Sequence, residues 1–87
     1  MKIRVRYFAG LREVVGQNAE VLTLPEGATV AAARTLLITR YPRLQPILER
    51  SLCAVNREYV PADHTLQEND ELVFIPPLGG GAAWAWA

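Results

Sequence analysis

The chain has 87 residues, a hydrophobic fraction of 51%, and nine basic side chains balanced by nine acidic ones. One domain fits in that length, burying roughly 60–65% of its unfolded surface around a single core. The charge balance argues against counterion-releasing nucleic-acid binding and polybasic membrane anchoring, and one cysteine permits neither an intrachain disulfide nor a cysteine-rich metal site.

The N-terminus, Met1-Lys2-Ile3-Arg4, is charged and alternating, with no apolar run of signal-peptide length. No segment approaches the roughly 20 apolar residues of a membrane helix. The expected setting is the cytoplasm, with no membrane and no nucleic acid as partner.

Residues 2–8 alternate. Ile3, Val5 and Tyr7 share one face, and Lys2, Arg4 and Arg6 share the other. This is the pattern of a strand buried on one side. Phe8 breaks it, because parity places it on the charged face. Residues 10–16 lie between two glycines and fit a short helical turn. Residues 19–25 read as a second strand, paired antiparallel with the first and closed by Pro25 and Gly27.

The clearest helix spans residues 29–41. Thr29 is its candidate N-cap. Val30, Ala33, Leu37 and Tyr41 follow helical spacing and face the sheet, and Pro42 marks the end. Pro46 opens a shorter helical piece over 46–50. Strands follow at 52–56, 58–60 and 71–76, the last with Leu72 and Phe74 on one face and Val73 and Ile75 on the other. The order predicts an α+β fold: one mixed sheet with the main helix across one face, the first and last strands parallel neighbours. Residues 1–78 form the domain, 79–81 a glycine tail, and 82–87 an extension.

Motifs of side-chain catalysis are missing: there is no P-loop, no nucleophile elbow and no H-E-x-x-H. His64 sits in a turn-rich segment without a neighbouring nucleophile and reads as a loop histidine. Cys53 lies in an apolar strand and reads as a small core residue. Gly79-Gly80-Gly81 opens no helix, so it is a poor phosphate cradle. The tail itself is informative. Pro76 and Pro77 fix φ and project the chain from the sheet, and the glycines carry no side chains. Extended, Pro76 to Gly81 reaches about 17 Å, a shape suited to a narrow pocket of another protein. Phe8 and Ile75, both on the non-core parity of adjacent strands, form an exposed apolar patch at the base of the tail or lie under the 10–16 segment; the sequence leaves both open.

The segments YFAGLREVVG (7–16) and AVNREYVPADHTLQENDELVFIPPLGGG (54–81) resemble the MoaD branch of the MoaD/ThiS sulfur carriers. The likeness spans nearly all of 1–81 and is weakest across 17–52. It implies a ubiquitin-like β-grasp fold and no bound cofactor or metal. It also implies that the carboxylate of Gly81 is adenylated with ATP by an E1-like enzyme and converted to a thiocarboxylate. That end then enters the large subunit of molybdopterin synthase and gives its sulfur to cyclic pyranopterin monophosphate, the partner supplying the acid–base groups. Gly79 and Gly80 complete the arm. Partner contacts fall by resemblance on Phe8, Tyr59 and Ile75, with Leu78 beside them.

The family stops at its diglycine, whereas this chain continues with Ala82-Ala83-Trp84-Ala85-Trp86-Ala87. Three readings stand: a precursor trimmed by a peptidase, an artefact of how the sequence was made or delimited, or a paralogue without sulfur transfer. Carriers for thiazole, thiouridine or cysteine synthesis, a protein modifier joined through Gly81, and a plain interaction module are the competing functions.

Overall fold

The computed structural model describes residues 1–77. Leu78, the glycine tail and the 82–87 extension lie outside them.

The chain folds as β1 (Lys2–Arg6), α1 (Ala9–Val15), β2 (Ala19–Thr23), α2 (Val30–Arg40), a 3-10 turn (Pro42–Leu44), α3 (Gln45–Leu48), β3 (Leu52–Val55), β4 (Glu58–Val60) and β5 (Glu71–Ile75). The sheet order is β2-β1-β5-β3-β4. β1 runs parallel to β5 and antiparallel to β2, as the sequence predicts. β3 is antiparallel to both β4 and β5. This mixed sheet, crossed on one face by α2, is the expected α+β β-grasp.

Alternation in β1 is realised: Ile3 and Val5 are buried, Lys2 and Arg4 exposed. Ile3, Val5, Leu22, Leu72 and Phe74 form the inner face and meet Val30, Ala33 and Leu37 of α2 in one core, to which Leu11, Leu44 and Leu48 add. Val73 and Ala54 are also buried but stand outside that cluster, on the opposite face.

The ends of α2 obey local chemistry. Thr29 Oγ1 accepts from the Ala32 amide at 3.3 Å, the predicted cap. Two more amides of the first turn, Val30 and Ala31, donate to the carbonyls of His64 and Ala62 at 3.0 and 2.8 Å. The 61–66 loop thereby satisfies donors that a helix cannot satisfy itself. His64 takes part in the fold through its backbone.

Two differences from the sequence reading concern helices. Beyond Pro42 the chain enters a 3-10 turn and then α3, so the second helical piece begins at Gln45 and ends at Leu48 rather than spanning 46–50. Proline ends a helix but suits the first position of the next, because its φ is already helical. Tyr41, expected on the core side, is the C-cap residue and only half-buried. Among the described residues, no helix is long and apolar enough to cross a membrane.

Candidate functional site

The inner face of the sheet is occupied by helices, so the outer face is the place to look for a working surface. The strand register lays side chains across it in rows. Arg6 stands opposite Val73, Val73 opposite Ala54, and Ala54 opposite Tyr59. One pleat further toward the tail, Ile75 stands opposite Leu52. Phe8 follows Arg6 by two residues as Ile75 follows Val73, which brings it to the same row. Phe8, Leu52 and Tyr59 are 39%, 45% and 49% exposed, and Ile75 is half-buried between neighbours. Of the two readings left open for Phe8 and Ile75, the exposed patch is the one found. α1 turns Leu11 into the core and leaves Phe8 uncovered.

Phe8 owes its position to both neighbours. Tyr7 is 3% exposed and points inward, so the pleat sends Phe8 outward. Ala9 then adopts φ 45, a left-handed conformation that reverses the chain into α1. The Phe8 carbonyl accepts from the Leu11 amide at 3.0 Å and holds that turn. Over the ring lies the Arg6 guanidinium, 5.2 Å from the centroid. Such a contact is worth about 0.5–1 kcal/mol at an exposed site. Arg6 also reaches Glu71 at 3.8 Å.

The opposite end of the same face is polar. Lys2, Arg4, Val21, Glu68, Asn69 and Glu71 border an open cleft of about 320 Å³ that also touches Ile3. Lys2 and Glu68 are joined there, the Lys2 amide donating to Glu68 Oε1 at 2.9 Å. The outer face is therefore apolar beside the departing C-terminus and charged away from it.

β5 is the central strand, and Pro76 and Pro77 end it. Proline lacks the amide a ladder needs, so the chain leaves the sheet there, next to Ile75 and Leu52. The sequence reading places the reacting end at Gly81, with Gly79, Gly80 and Leu78 leading to it; all four lie outside the described residues.

Sequence reasoning missed two features. Leu52 completes the apolar row, but its strand shows no alternation, since Cys53, Ala54 and Val55 are all buried. The second is a polar hub on the inner side. Glu20 Oε2 accepts from the phenols of Tyr7 at 2.5 Å and Tyr41 at 2.9 Å, and Oε1 accepts from Arg40 Nη1 at 2.8 Å. Gln17 Nε2 donates to the Tyr41 oxygen at 3.3 Å. Burial and the Glu20 carboxylate push the Tyr7 phenol far above its ordinary range, and Tyr41 moves the same way for the same causes. A signal was present: Glu20 shares strand parity with Leu22 and Leu24, so an acid had to point inward.

The other candidates have structural roles. Cys53 is buried, and burial raises its thiol above the ordinary value. Among the described residues, no group of three or more His, Cys, Asp or Glu is placed to hold a metal ion. Asp70, 8% exposed, accepts from Asn56 Nδ2 at 2.9 Å and the Gln67 amide at 2.8 Å, fixing the turn before β5.

Comparison with known proteins shows what this chain is similar to. The ThiS family profile matches residues 5–81. A molybdopterin synthase sulfur carrier subunit from Chlamydomonas reinhardtii is 40% identical over 83 residues, covering 93% of this chain and 100% of that one. The protein of the same name from Escherichia coli (strain K12) is 38% identical over 81 residues, covering 91% and 99%. A crystal structure of SAMP1 from Haloferax volcanii superposes with a TM-score of 0.82 at 25% identity, covering 93% of this chain and 100% of that one. The profile match, which spans most of the sequence, shows that the chain belongs to the ThiS family.

Proposed function

We propose that this chain is the sulfur-carrying small subunit of molybdopterin synthase, docking through its apolar outer face and delivering sulfur from Gly81. The observation that carries this is the placement of Phe8, Leu52 and Ile75 beside the point where Pro76 and Pro77 release the C-terminus. Membership of the ThiS family and the names of the relatives support the pathway.

The chemistry needs little from the domain itself. A carboxylate at neutral pH is a poor electrophile. An E1-like partner adenylates Gly81 with ATP, releasing pyrophosphate and leaving AMP as the leaving group. A sulfur donor displaces AMP, and the terminal oxygen is thereby replaced by sulfur. Gly79 and Gly80 let the thiocarboxylate pass through a channel that any side chain would obstruct. The large subunit binds the cyclic pyranopterin monophosphate and supplies acid–base groups, and each product takes two sulfurs, hence two carrier molecules. The apolar row holds the carrier during transfer, as aromatic and aliphatic anchors do at protein interfaces.

Gly81 has no free carboxylate while Ala82 follows it, so trimming of 82–87 by a peptidase precedes adenylation. The setting is the cytoplasm, where ATP and both partners are available.

Reconstitution tests the reading. A chain ending at Gly81 and carrying a thiocarboxylate should convert cyclic pyranopterin monophosphate to molybdopterin when mixed with the large subunit. Failure there, with transfer to a thiazole, thiouridine or cysteine acceptor instead, would reassign the pathway.

A further inference from the structure

Of the two edges of the sheet, β4 is guarded and β2 is not. β4 has three residues, begins at Glu58 beside Arg57 and is followed by Pro61. Short length, charge and proline are the usual protections of an edge. β2 has five residues, and Ala19, Val21 and Thr23 on its outer face carry no charge. Val21 is 57% exposed. The single charge of β2, Glu20, points inward and is held by Tyr7, Tyr41 and Arg40.

The β1–β2 ladder fixes which backbone groups β2 leaves free. In an antiparallel pair, residues that exchange both hydrogen bonds alternate with residues that point theirs away. Met1 and Leu24 exchange both, at 2.7 and 2.9 Å, and the Tyr7 amide donates to the Asn18 carbonyl at 2.8 Å. With that phase, Ile3 bonds to Leu22 and Val5 to Glu20. The pairs Lys2 with Thr23, Arg4 with Val21 and Arg6 with Ala19 then turn their backbone groups away from each other. β1 agrees, since the Arg4 amide donates to the Asp70 carbonyl at 2.8 Å instead of toward β2. The N–H and C=O groups of Ala19, Val21 and Thr23 therefore point out of the sheet edge, without a partner among the described residues.

We propose that the β2 edge pairs antiparallel with β2 of a second copy, about a two-fold axis at Val21, joining two five-stranded sheets into one. The register is self-complementary. Val21 meets Val21 of the second copy, and Ala19 meets Thr23 on either side, so every outward N–H finds an outward C=O. No charge lies in the joined row, and like charges stay apart. Arg4 stands one strand behind Val21 in each copy. The two Arg4 side chains are thus three strand spacings apart, about 14 Å, beyond the roughly 8 Å screening length at physiological salt. The axis is perpendicular to the sheet, so both apolar outer faces lie on one side and stay open. The pairing uses neither the apolar row nor the tail and stands apart from the sulfur-carrying role.

A five-residue join is smaller than the roughly 1,200 Å² of a stable interface, so the expected dimer is weak and forms on concentration. Sedimentation and amide exchange of the full chain read it. Raising the protein into the millimolar range should bring up a dimer and slow exchange at the Ala19, Val21 and Thr23 amides. Val21→Lys, at an exposed position, sets like charges opposite each other and should raise the dissociation constant about fivefold or more, with the circular dichroism unchanged. Val21→Glu should do the same alone, and mixing it with Val21→Lys should restore the dimer. A wild-type chain that stays monomeric at millimolar concentration would overturn the proposal and leave the edge to a strand of another protein. A dimer indifferent to Val21→Lys would overturn it too, giving the association to the apolar outer row.

Discussion

Arg57 shows at a single residue how the sequence departs from the easiest solution. The β3–β4 hairpin turns on Asn56 and Arg57, with φ of 50 and 70. Two positive φ values are what a tight hairpin with the sheet's twist demands, and glycine is the usual second residue. Asn56 is held there by its contacts with Asp70 and the Glu71 amide. Arg57 has a Cβ in a conformation that disfavours one by about 1–2 kcal/mol. Replacing Arg57 by Gly should stabilise the protein by about 0.5–1 kcal/mol, after the greater chain entropy of glycine is subtracted. A rise in urea midpoint at constant slope checks this. The Glu20 hub gives a second residue-scale expectation. Below pH 10 the Tyr7 and Tyr41 phenols are neutral in the folded and unfolded chains alike. Above it the unfolded chain loses these protons first, because both phenols are raised in the fold. Stability should therefore fall as pH climbs past about 10, and Tyr7→Phe should flatten that fall.

Among elements, α2 was the most legible and α3 the least. Thr29, the 3.6-residue spacing of Val30, Ala33 and Leu37, and Pro42 are independent signals that agree, and the helix forms where they place it. Thr29→Ala should cost about 1 kcal/mol by orphaning the Ala32 amide. Leu37→Ala, at a position with no exposure, should cost about 2–5 kcal/mol, and thermal unfolding separates the two. The 42–48 region misled because Pro42 stops one helix and Pro46 starts another, while a 3-10 turn needs only the φ that proline already has. Alternation made β1 readable and so marked Phe8 as outward. It failed for β3, where the outer-face Ala54 is as buried as the inner-face Cys53 and Val55, and Leu52 stayed hidden. Contacts from α2 to the 61–66 loop, and from Glu20 to Tyr41, join residues far apart in sequence; no local pattern specifies them.

For the whole molecule, the fold separates two tasks. One face of the sheet is spent on the core, and the other presents an apolar end beside the exit of the central strand and a charged end away from it. In a chain ending at Gly81, Phe8→Ala or Leu52→Glu should weaken binding to the large subunit about tenfold or more, the loss typical of a central anchor, while Phe8→Ala lowers stability by only about 0.5–1 kcal/mol through the lost Arg6 contact. In the proposed function the domain is a handle and the Gly81 carboxylate the working group. Intact mass spectrometry of the protein isolated with its native partners reads the state of that carboxylate. A species ending at Gly81 and heavier by the exchange of one oxygen for sulfur is expected. Full pathway activity from a population that still ends at Ala87 would rule out Gly81 as the sulfur-bearing end.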